Sequence, residues 1–387
     1  MTPFADFTYF GLLLIYIVLP TIALGLLGRP GWRWTLFCTG LALAVTYSAK
    51  LKPTFTLELR EVWWFVAFGA WQALLAFAFI RWRGKVNAWV VITLSVLPLA
   101  LVKVAPFVPS LGGLKLLGLS YITFRALDVL LSIHDGVLKS LSFTTWLGYL
   151  FFFPCVSSGP IDRFRRFEKD WLRQRTRSEF LADLDFAISR TFRGFLYKFI
   201  FAALIYAHWL TPLEHRSGPL ATCAYMYAYT LFLFFDFAGY SAFAVAVSRL
   251  FGIQTPENFD RPFLARNIRE FWTRWHISLS FWFRDHIHMR FLLAAAKGKW
   301  FAGKHTANYL GLLLTFGLMG AWHGLAWHYI LYGLYHAALL IGFDWFARWN
   351  KERKLWGDAR AWQIASVMLT FHAFAFGLLL FSGRLAH

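Results

Sequence analysis

The apolar residues of this chain fall in long uninterrupted stretches, and that feature limits its fold more than any other. Runs such as 7–28, 62–80 and 307–331 are each long enough to cross a hydrocarbon core about 30 Å thick, which takes ~20 helical residues. Inside a bilayer the backbone must satisfy its own hydrogen bonds, so a chain with many such runs becomes a bundle of helices. Spans read at about 7–28, 34–50, 62–80, 88–105, 191–211, 220–250, 307–330 and 361–383, with a bend or break expected near Gly239. The first is too long for a signal-peptide core and lacks a small-residue cleavage pattern after it, so it reads as a true span. Shorter or interrupted apolar segments at 114–133, 143–156, 281–296 and 329–347 read as re-entrant or buried half-helices. With no internal repeat, low-complexity linker or room for a soluble domain, the fold class is an all-α polytopic membrane protein.

Charge supports that reading. Only 15% of the 387 residues are charged, against roughly a quarter in soluble domains. Lys and Arg outnumber Asp and Glu by 39 to 20, a formal +19. The cations sit in short segments between apolar runs, the pattern produced by cytoplasmic retention of Lys and Arg; no nucleic-acid partner is implied. Such a basic face attracts anionic lipid head groups or an acidic protein. Arg29 and Arg33 follow the first span, and Arg81, Arg83 and Lys85 the third, which places the N-terminus outside. The intervening loop carries Lys50, Lys52 and Arg60 with Glu58 and Glu61. The densest cluster, Arg163, Arg165, Arg166, Lys169, Arg173, Arg175 and Arg177, reads as a cytoplasmic loop. Thr176 and Glu179 then have capping-box spacing and open a helix whose Phe180, Leu184, Ala187 and Ile188 share one face, as in a helix lying on the inner membrane surface. Cys38, Cys155 and Cys223 lie in apolar stretches without metal-type spacing and read as packing residues.

Ionisable groups at membrane depth are costly, so each asks for an explanation. In 260–290 Asn267 reads as an N-cap with Glu270 three residues on, which puts His276 within a helix one turn from Trp272 and Ser280. In 318–336 His323 falls in an apolar helix between Gly320 and Gly324, small residues that let a helix or ligand approach the backbone closely. A desolvated imidazole at His323 stays neutral and can accept a proton from a hydroxyl, with a structural, hydrogen-bonded role as the equal alternative; His276 taken alone reads as a structural histidine at a helix contact. His286 and His288 form an H-x-H pair, but the clustered HxxxH and HxxHH sets of membrane di-iron enzymes do not occur; no metal is expected. His134, His208, His215, His305 and His372 read as interface or loop residues.

Four blocks together resemble the bacterial branch of the membrane-bound O-acyltransferases: FFFPCVSSGPIDRFRRF (151–167), FFDFAGYSAFAV (234–245), PENFDRPFLARNIREFWTRWHISLSFWFRD (256–285) and MGAWHG (319–324). The resemblance covers most of 150–340 and implies the fold of that family, about 11 transmembrane helices with short re-entrant and interfacial ones. It implies a single domain, with N-terminal spans over 1–150, a catalytic core over 151–345 and a C-terminal span over 346–387. His323 matches the family's catalytic histidine and His276 the second one. Trp275 and Trp322 are implied to line the reaction chamber, with Ser278 and Ser280 as small polar positions beside it, while Arg284 and Asp285 read as an internal ion pair. The SSGPIDRFRRF block, the continuation HIHMRFLLAAAKGKWF in place of a YIPLGG-like turn, and the chain length are similar to the family's D-alanyl-transferase branch.

That branch implies a donor thioester on the phosphopantetheine arm of a small acidic carrier protein at the cytoplasmic face, with no bound cofactor. The acceptor would be an extracytoplasmic polymer or a relay protein. The location implied is a bacterial cytoplasmic membrane. Arg290, Lys297, Lys299 and Lys304 around Leu292, Leu293 and Trp300 make a basic, partly apolar segment suited to docking the carrier; an ordinary positive-inside loop has the same composition. The alternative within the class is O-acetylation of an exported polysaccharide, and outside it a transporter, whose inverted repeats or paired broken helices are not evident.

Overall fold

The computed structural model describes residues 7–28, 31–48, 59–108, 118–357 and 359–385, so Arg29, Lys50, Lys52 and Glu58 of the loop reading, and residues 114–117 of one weak segment, lie outside the described residues. The helices are α1 (Phe7–Leu26), α2 (Trp32–Ser48), α3 (Leu59–Arg81), α4 (Ala88–Val104), α5 (Leu119–His134), α6 (Phe143–Phe151), α7 (Phe164–Leu172), α8 (Arg177–Glu214), α9 (Pro219–Leu250) and α10 (Ile268–Phe271). Next comes α11, in three consecutive pieces, Ile277–Phe283, a widened π turn Arg284–His288 and Met289–Gly298. Helices α12 (Thr306–His323), α13 (Trp327–Arg353) and α14 (Arg360–Phe381) complete the chain. Among the described residues there is no strand beyond an isolated bridge between Phe259 and Trp275. Seven of these helices are long and apolar enough to cross a bilayer. Their outward surfaces keep large side chains such as Phe7, Leu19, Phe192, Leu204 and Met368 exposed, which suits hydrocarbon rather than water as solvent.

The chain divides into two compact units, one of residues 1–195 with 239–256, the other of 196–238 with 257–387. In the first, polar side chains do the gluing that the hydrophobic effect cannot do between helices in lipid. Gln72 of α3 and Ser95 of α4 exchange two bonds, Ser95 Oγ donating to Gln72 Oε1 at 2.7 Å and Gln72 Nε2 to the Ser95 carbonyl at 3.0 Å. Helix α5 is buried along nearly its whole length, as expected of a half-helix enclosed by protein. Its Arg125, 1% exposed, donates to the carbonyls of Tyr149, Leu150 and Cys155 at 2.9–3.2 Å, satisfying two acceptors that the end of α6 leaves open and one in the turn after it. One turn on, Asp128 accepts from the Phe164 amide at 2.8 Å and from Arg163 at 3.1 Å. The GPIDRF block is therefore a clasp around α5.

The dense cation cluster is only partly a free charged surface. Arg163 pairs with Asp128, Arg166 with Asp162, Arg173 with Glu179 and Arg175 with Asp183. The capping box is present in both directions: the Thr176 amide donates to Glu179 at 2.8 Å and the Glu179 amide to Thr176 Oγ1 at 3.2 Å. The helix it opens differs from the expectation. Phe180 and Ala187 turn inward while Ile188 is exposed, and the helix does not stop where the apolar run begins. It continues through π turns at Leu196–Ala202 and Tyr206–Leu210 as one 38-residue run, with Gly194 at the join carried inside the helix. Helix α9 likewise runs unbroken through Gly239.

In the second unit the intramembrane charge Lys198 of α8 pairs with Asp236 of α9, each neutralising a group that lipid would not tolerate alone. The boundaries on either side of one break here differ from the sequence reading, and the break decides the position of His323. The span expected over 307–330 ends at His323, and after a three-residue break α13 begins at Trp327. The weak segment at 329–347 is thus part of a 27-residue helix. Helices α12 and α13 form an antiparallel hairpin closed by glycine. A Cβ on Gly320 would lie 2.4 Å from the Tyr329 carbonyl oxygen, and one on Gly333 2.1 Å from that of Phe316, so only hydrogen fits between the backbones.

Candidate active site

The segment from Asn258 to Ser280 is shaped by short polar bonds rather than by a continuous helix. Asn267 caps α10 as its residue type suggests, Oδ1 accepting from the Glu270 amide at 2.8 Å. Helix α10 ends at Phe271, however, so His276 does not share a helix with Trp272. The chain turns through Trp272–Trp275 and restarts at Ile277, with His276 at the junction in the left-handed region (φ +43°). A β-carbon-bearing residue held there costs about 1 kcal/mol or more, and such strain concentrates at functional sites.

What holds it is Asn258, fully buried. Its carbonyl accepts from the Ile277 amide at 3.0 Å and its Oδ1 from Ser278 Oγ at 2.6 Å. Ser280 Oγ donates to the Trp275 carbonyl at 3.1 Å. The two serine hydroxyls therefore lock the turn. Asn258 was not singled out from the sequence, although it stands in the PENFDRP block; no spacing rule links it to a turn eighteen residues on.

His276 is 5% exposed and its ring stands edge-on to Phe237 at 4.7 Å. Its Nε2 is buried without a hydrogen-bond partner among the described residues. Burial, with His323 as the smaller cause, pushes its pKa down to about 3, so the imidazole is neutral. Trp275 is sealed in an aromatic cluster, 4.7 Å from Phe374 and 5.8 Å from Phe271, and anchors the turn.

His323 is the last residue of α12, half-buried, with the ring of Trp322 at 4.4 Å, Phe381 edge-on at 4.8 Å and Tyr332 at 6.3 Å. Phe381, the last residue of α14, is held in turn by its carbonyl against His328 Nδ1 at 3.0 Å. Both histidines thus stand where a helix is interrupted, in the same unit, close enough for the charge of one to be felt at the other. A third histidine, His336, has no metal-type spacing to His323 and His328 and gains its interest only from its surroundings. It is fully buried, both ring nitrogens lack hydrogen-bond partners among the described residues, and it packs between Trp272 at 5.1 Å and Tyr332 at 4.7 Å. It thereby joins the turn before His276 to the wall of His323.

The segment expected to receive a carrier is the last piece of α11 and the turn after it. Leu293 and Trp300 are 66% and 54% exposed, and Met289 is exposed beside them; Arg290 and Leu292 are half-buried, Lys297 and Lys299 exposed. Lys299 takes the left-handed C-cap position (φ +50°) and the Trp300 amide bonds the Ala295 carbonyl at 3.1 Å, which fixes the direction of the indole. Arg284 and Asp285 do pair, at 2.8 Å, but as neighbours with both side chains open. His286 and His288 lie in the π turn, and no group of three metal-type ligands converges among the described residues.

These features, seven apolar helices of membrane-spanning length and two histidines at helix breaks within one unit, define a polytopic membrane protein with a candidate site in its second unit. The family model of the membrane-bound O-acyltransferases matches residues 54–383, and the chain belongs to that family. Over its whole length it is 41% identical to the teichoic acid D-alanyltransferase of Bacillus subtilis (strain 168), covering 99% of that protein. It is 40% identical to that of Streptococcus thermophilus over 81% of each chain, and 37% identical to that of Lacticaseibacillus rhamnosus over 100% of this chain and 98% of the other. The chain is accordingly a multi-pass membrane acyltransferase.

Proposed function

We propose that this protein sits in a bacterial cytoplasmic membrane and moves D-alanine from a carrier-protein thioester to a hydroxyl for the D-alanylation of teichoic acid or a similar envelope polymer. The observation that carries the chemistry is the pair of helix breaks: a neutral His276 with an orphaned, buried Nε2, and His323 at the carbonyl end of α12. The negative end of a helix dipole favours a group that becomes cationic, so His323 is suited to take the proton from the attacking hydroxyl. That hydroxyl oxygen attacks the thioester carbon; the tetrahedral intermediate collapses with loss of the pantetheine thiolate, which takes a proton back. His276, kept neutral, is suited to hydrogen-bond the thioester oxygen as it gains charge, a stabilisation worth most in a dry site. Trp275 and Trp322 shape the chamber, and Ser278 and Ser280 act through the turn that aims His276.

The donor is carried by phosphopantetheine on the partner, so this chain itself needs no bound cofactor. An acidic carrier would dock on Arg290, Lys297 and Lys299 with Leu292, Leu293 and Trp300 as apolar contacts; Leu293 and Trp300 are the exposed anchors. The product leaves to an extracytoplasmic polymer or relay protein. The test is transfer of labelled D-alanine from its carrier to acceptor in membranes. His323→Ala is expected to abolish ester formation with the protein still present in the membrane, and Leu293→Asp to weaken carrier binding about tenfold or more, since it puts a charge into an apolar contact. Transfer retained by His323→Ala would overturn the assignment, and acetyl rather than D-alanyl transfer would redirect it to the polysaccharide-acetylating branch.

A further inference from the structure

A cavity of about 610 Å³ lies in the second unit where α13 and α14 approach their connecting turn, closed on a third side by Arg266–Ile268. Its lining changes character along the helices. Leu339 of α13 and Leu369 and Ala373 of α14 form a hydrocarbon end, while Asn350 and Gln363, nearer the helix termini, bring amides to the other. The amide end is braced: Asn350 exchanges two bonds at 2.8 Å with the backbone of Trp356, whose indole donates to Ser366 Oγ at 2.8 Å.

Three observations identify the occupant. Trp345, Trp349 and Trp362 are exposed around this end, and exposed tryptophans mark the depth of lipid head groups; the amide end therefore sits at the membrane surface and the leucine end at acyl depth. Leu369 both lines the cavity and is 60% exposed, so the hydrocarbon end opens on the outward side of α14, where an acyl chain can slide in from the bilayer. Arg266 is exposed, with no carboxylate partner for its guanidinium among the described residues, and Lys351, Arg353, Lys354 and Arg360 cluster in sequence at the same helix ends. One molecule matches all three: a lipid with an acyl chain and an anionic phosphate head.

We propose that this cavity is a seat for an anionic glycerophospholipid, its phosphate on Arg266 and one chain along Leu339, Leu369 and Ala373. The seat bears on the site because Arg266–Ile268 begins the short segment that ends at His276; the Arg266 amide and the Asn267 side chain are both tied to Glu270. A lipid filling the cavity braces that segment, and the enzyme is then more active in anionic bilayers. The binding claim stands independently of the D-alanyl reading.

The experiment reconstitutes purified full-length protein in nanodiscs of phosphatidylcholine alone or mixed with phosphatidylglycerol, and adds photoactivatable phosphatidylglycerol. Labelling of peptides containing Gln363 or Leu369 is expected, undiminished by inorganic phosphate. It should be reduced about tenfold in Arg266→Gln, the loss of one charge-assisted hydrogen bond. Melting temperature should rise with phosphatidylglycerol in the wild type and not in Arg266→Gln. Competition by phosphate would make the site a simple anion site, equal labelling with phosphatidylcholine or by Arg266→Gln would remove the charge selectivity, and displacement by a pantetheine-bearing carrier would make the cavity part of the donor path; each of these overturns the proposal. Because labelling and melting need no turnover, failure here is distinguishable from failure of the transfer reaction.

Discussion

Replacing Gly333 by Ala tests the idea that the α12–α13 hairpin sets His323. The added carbon would stand 2.1 Å from the Phe316 carbonyl oxygen and 3.0 Å from its carbon. Both are backbone atoms of a packed helix, so no side chain can swing aside. The helices must part by about 1 Å, and forced overpacking of this kind costs ~1–3 kcal/mol. The catalytic penalty is larger. His323 ends α12, seven residues from Phe316, while Tyr332 of its wall is the immediate neighbour of Gly333. A displacement of about 1 Å at a reacting group costs on the order of 100-fold in rate. Two glycines on the same helices serve as controls: a Cβ on Gly342 meets nothing within 4 Å, and one on Gly317 meets only Leu334 Cδ2 at 3.8 Å. Their Ala variants should be unchanged or more stable by up to ~1 kcal/mol. Melting in detergent and D-alanyl transfer in membranes measure both effects. If Gly333→Ala melts and turns over like the wild type while Gly342→Ala does not, the close-approach argument is wrong.

Removing the Arg125 guanidinium by Arg125→Met strips donors from three buried carbonyls, two at the end of α6 and one in the turn after it. At ~1–3 kcal/mol for each group left unsatisfied, a loss of at least ~3 kcal/mol is expected, read as a fall in melting temperature and in membrane yield. Thr176→Ala breaks only the reciprocal cap of α8 and should cost ~1 kcal/mol, a small shift in the same assay. For His276 the folded pKa lies below the ordinary imidazole value, so protonation opposes the fold: its contribution is complete above about pH 6.5 and declines as pH falls towards 3. The wild type should therefore lose melting temperature relative to His276→Asn between pH 6.5 and 4; parallel curves would refute the burial argument. The same neutrality predicts that the acid limb of the pH–rate profile does not belong to His276, so a residual activity in His276→Asn should keep that limb in place.

Much of this was legible in the residues. The run lengths define a helical membrane protein, since bilayer thickness and backbone hydrogen bonding leave one solution for such runs. Local capping was equally readable, because the bonds of Thr176 with Glu179 and of Asn267 with Glu270 span three residues and need no tertiary partner. The four motif blocks located His276 and His323. Their setting was less visible. Apolar composition alone cannot show that the stretch 307–330 breaks after His323, because hydropathy continues smoothly through Gly324–Ala326. Nor can it show that α8 carries on from an amphipathic stretch into an apolar one.

The sequence by itself thus determined the class of solvent, the family and the two histidines proposed to carry the chemistry. Only the tertiary structure decided how those residues are presented. Asn258 pins His276 in a left-handed turn through bonds to Ile277 and Ser278, and Gly320 and Gly333 let α13 close on α12 so that His323 stands at an open helix end. The pieces of each arrangement lie some twelve to twenty residues apart with no periodic signature, since what unites them is a shape complementarity between backbones that exists only once the helices have met.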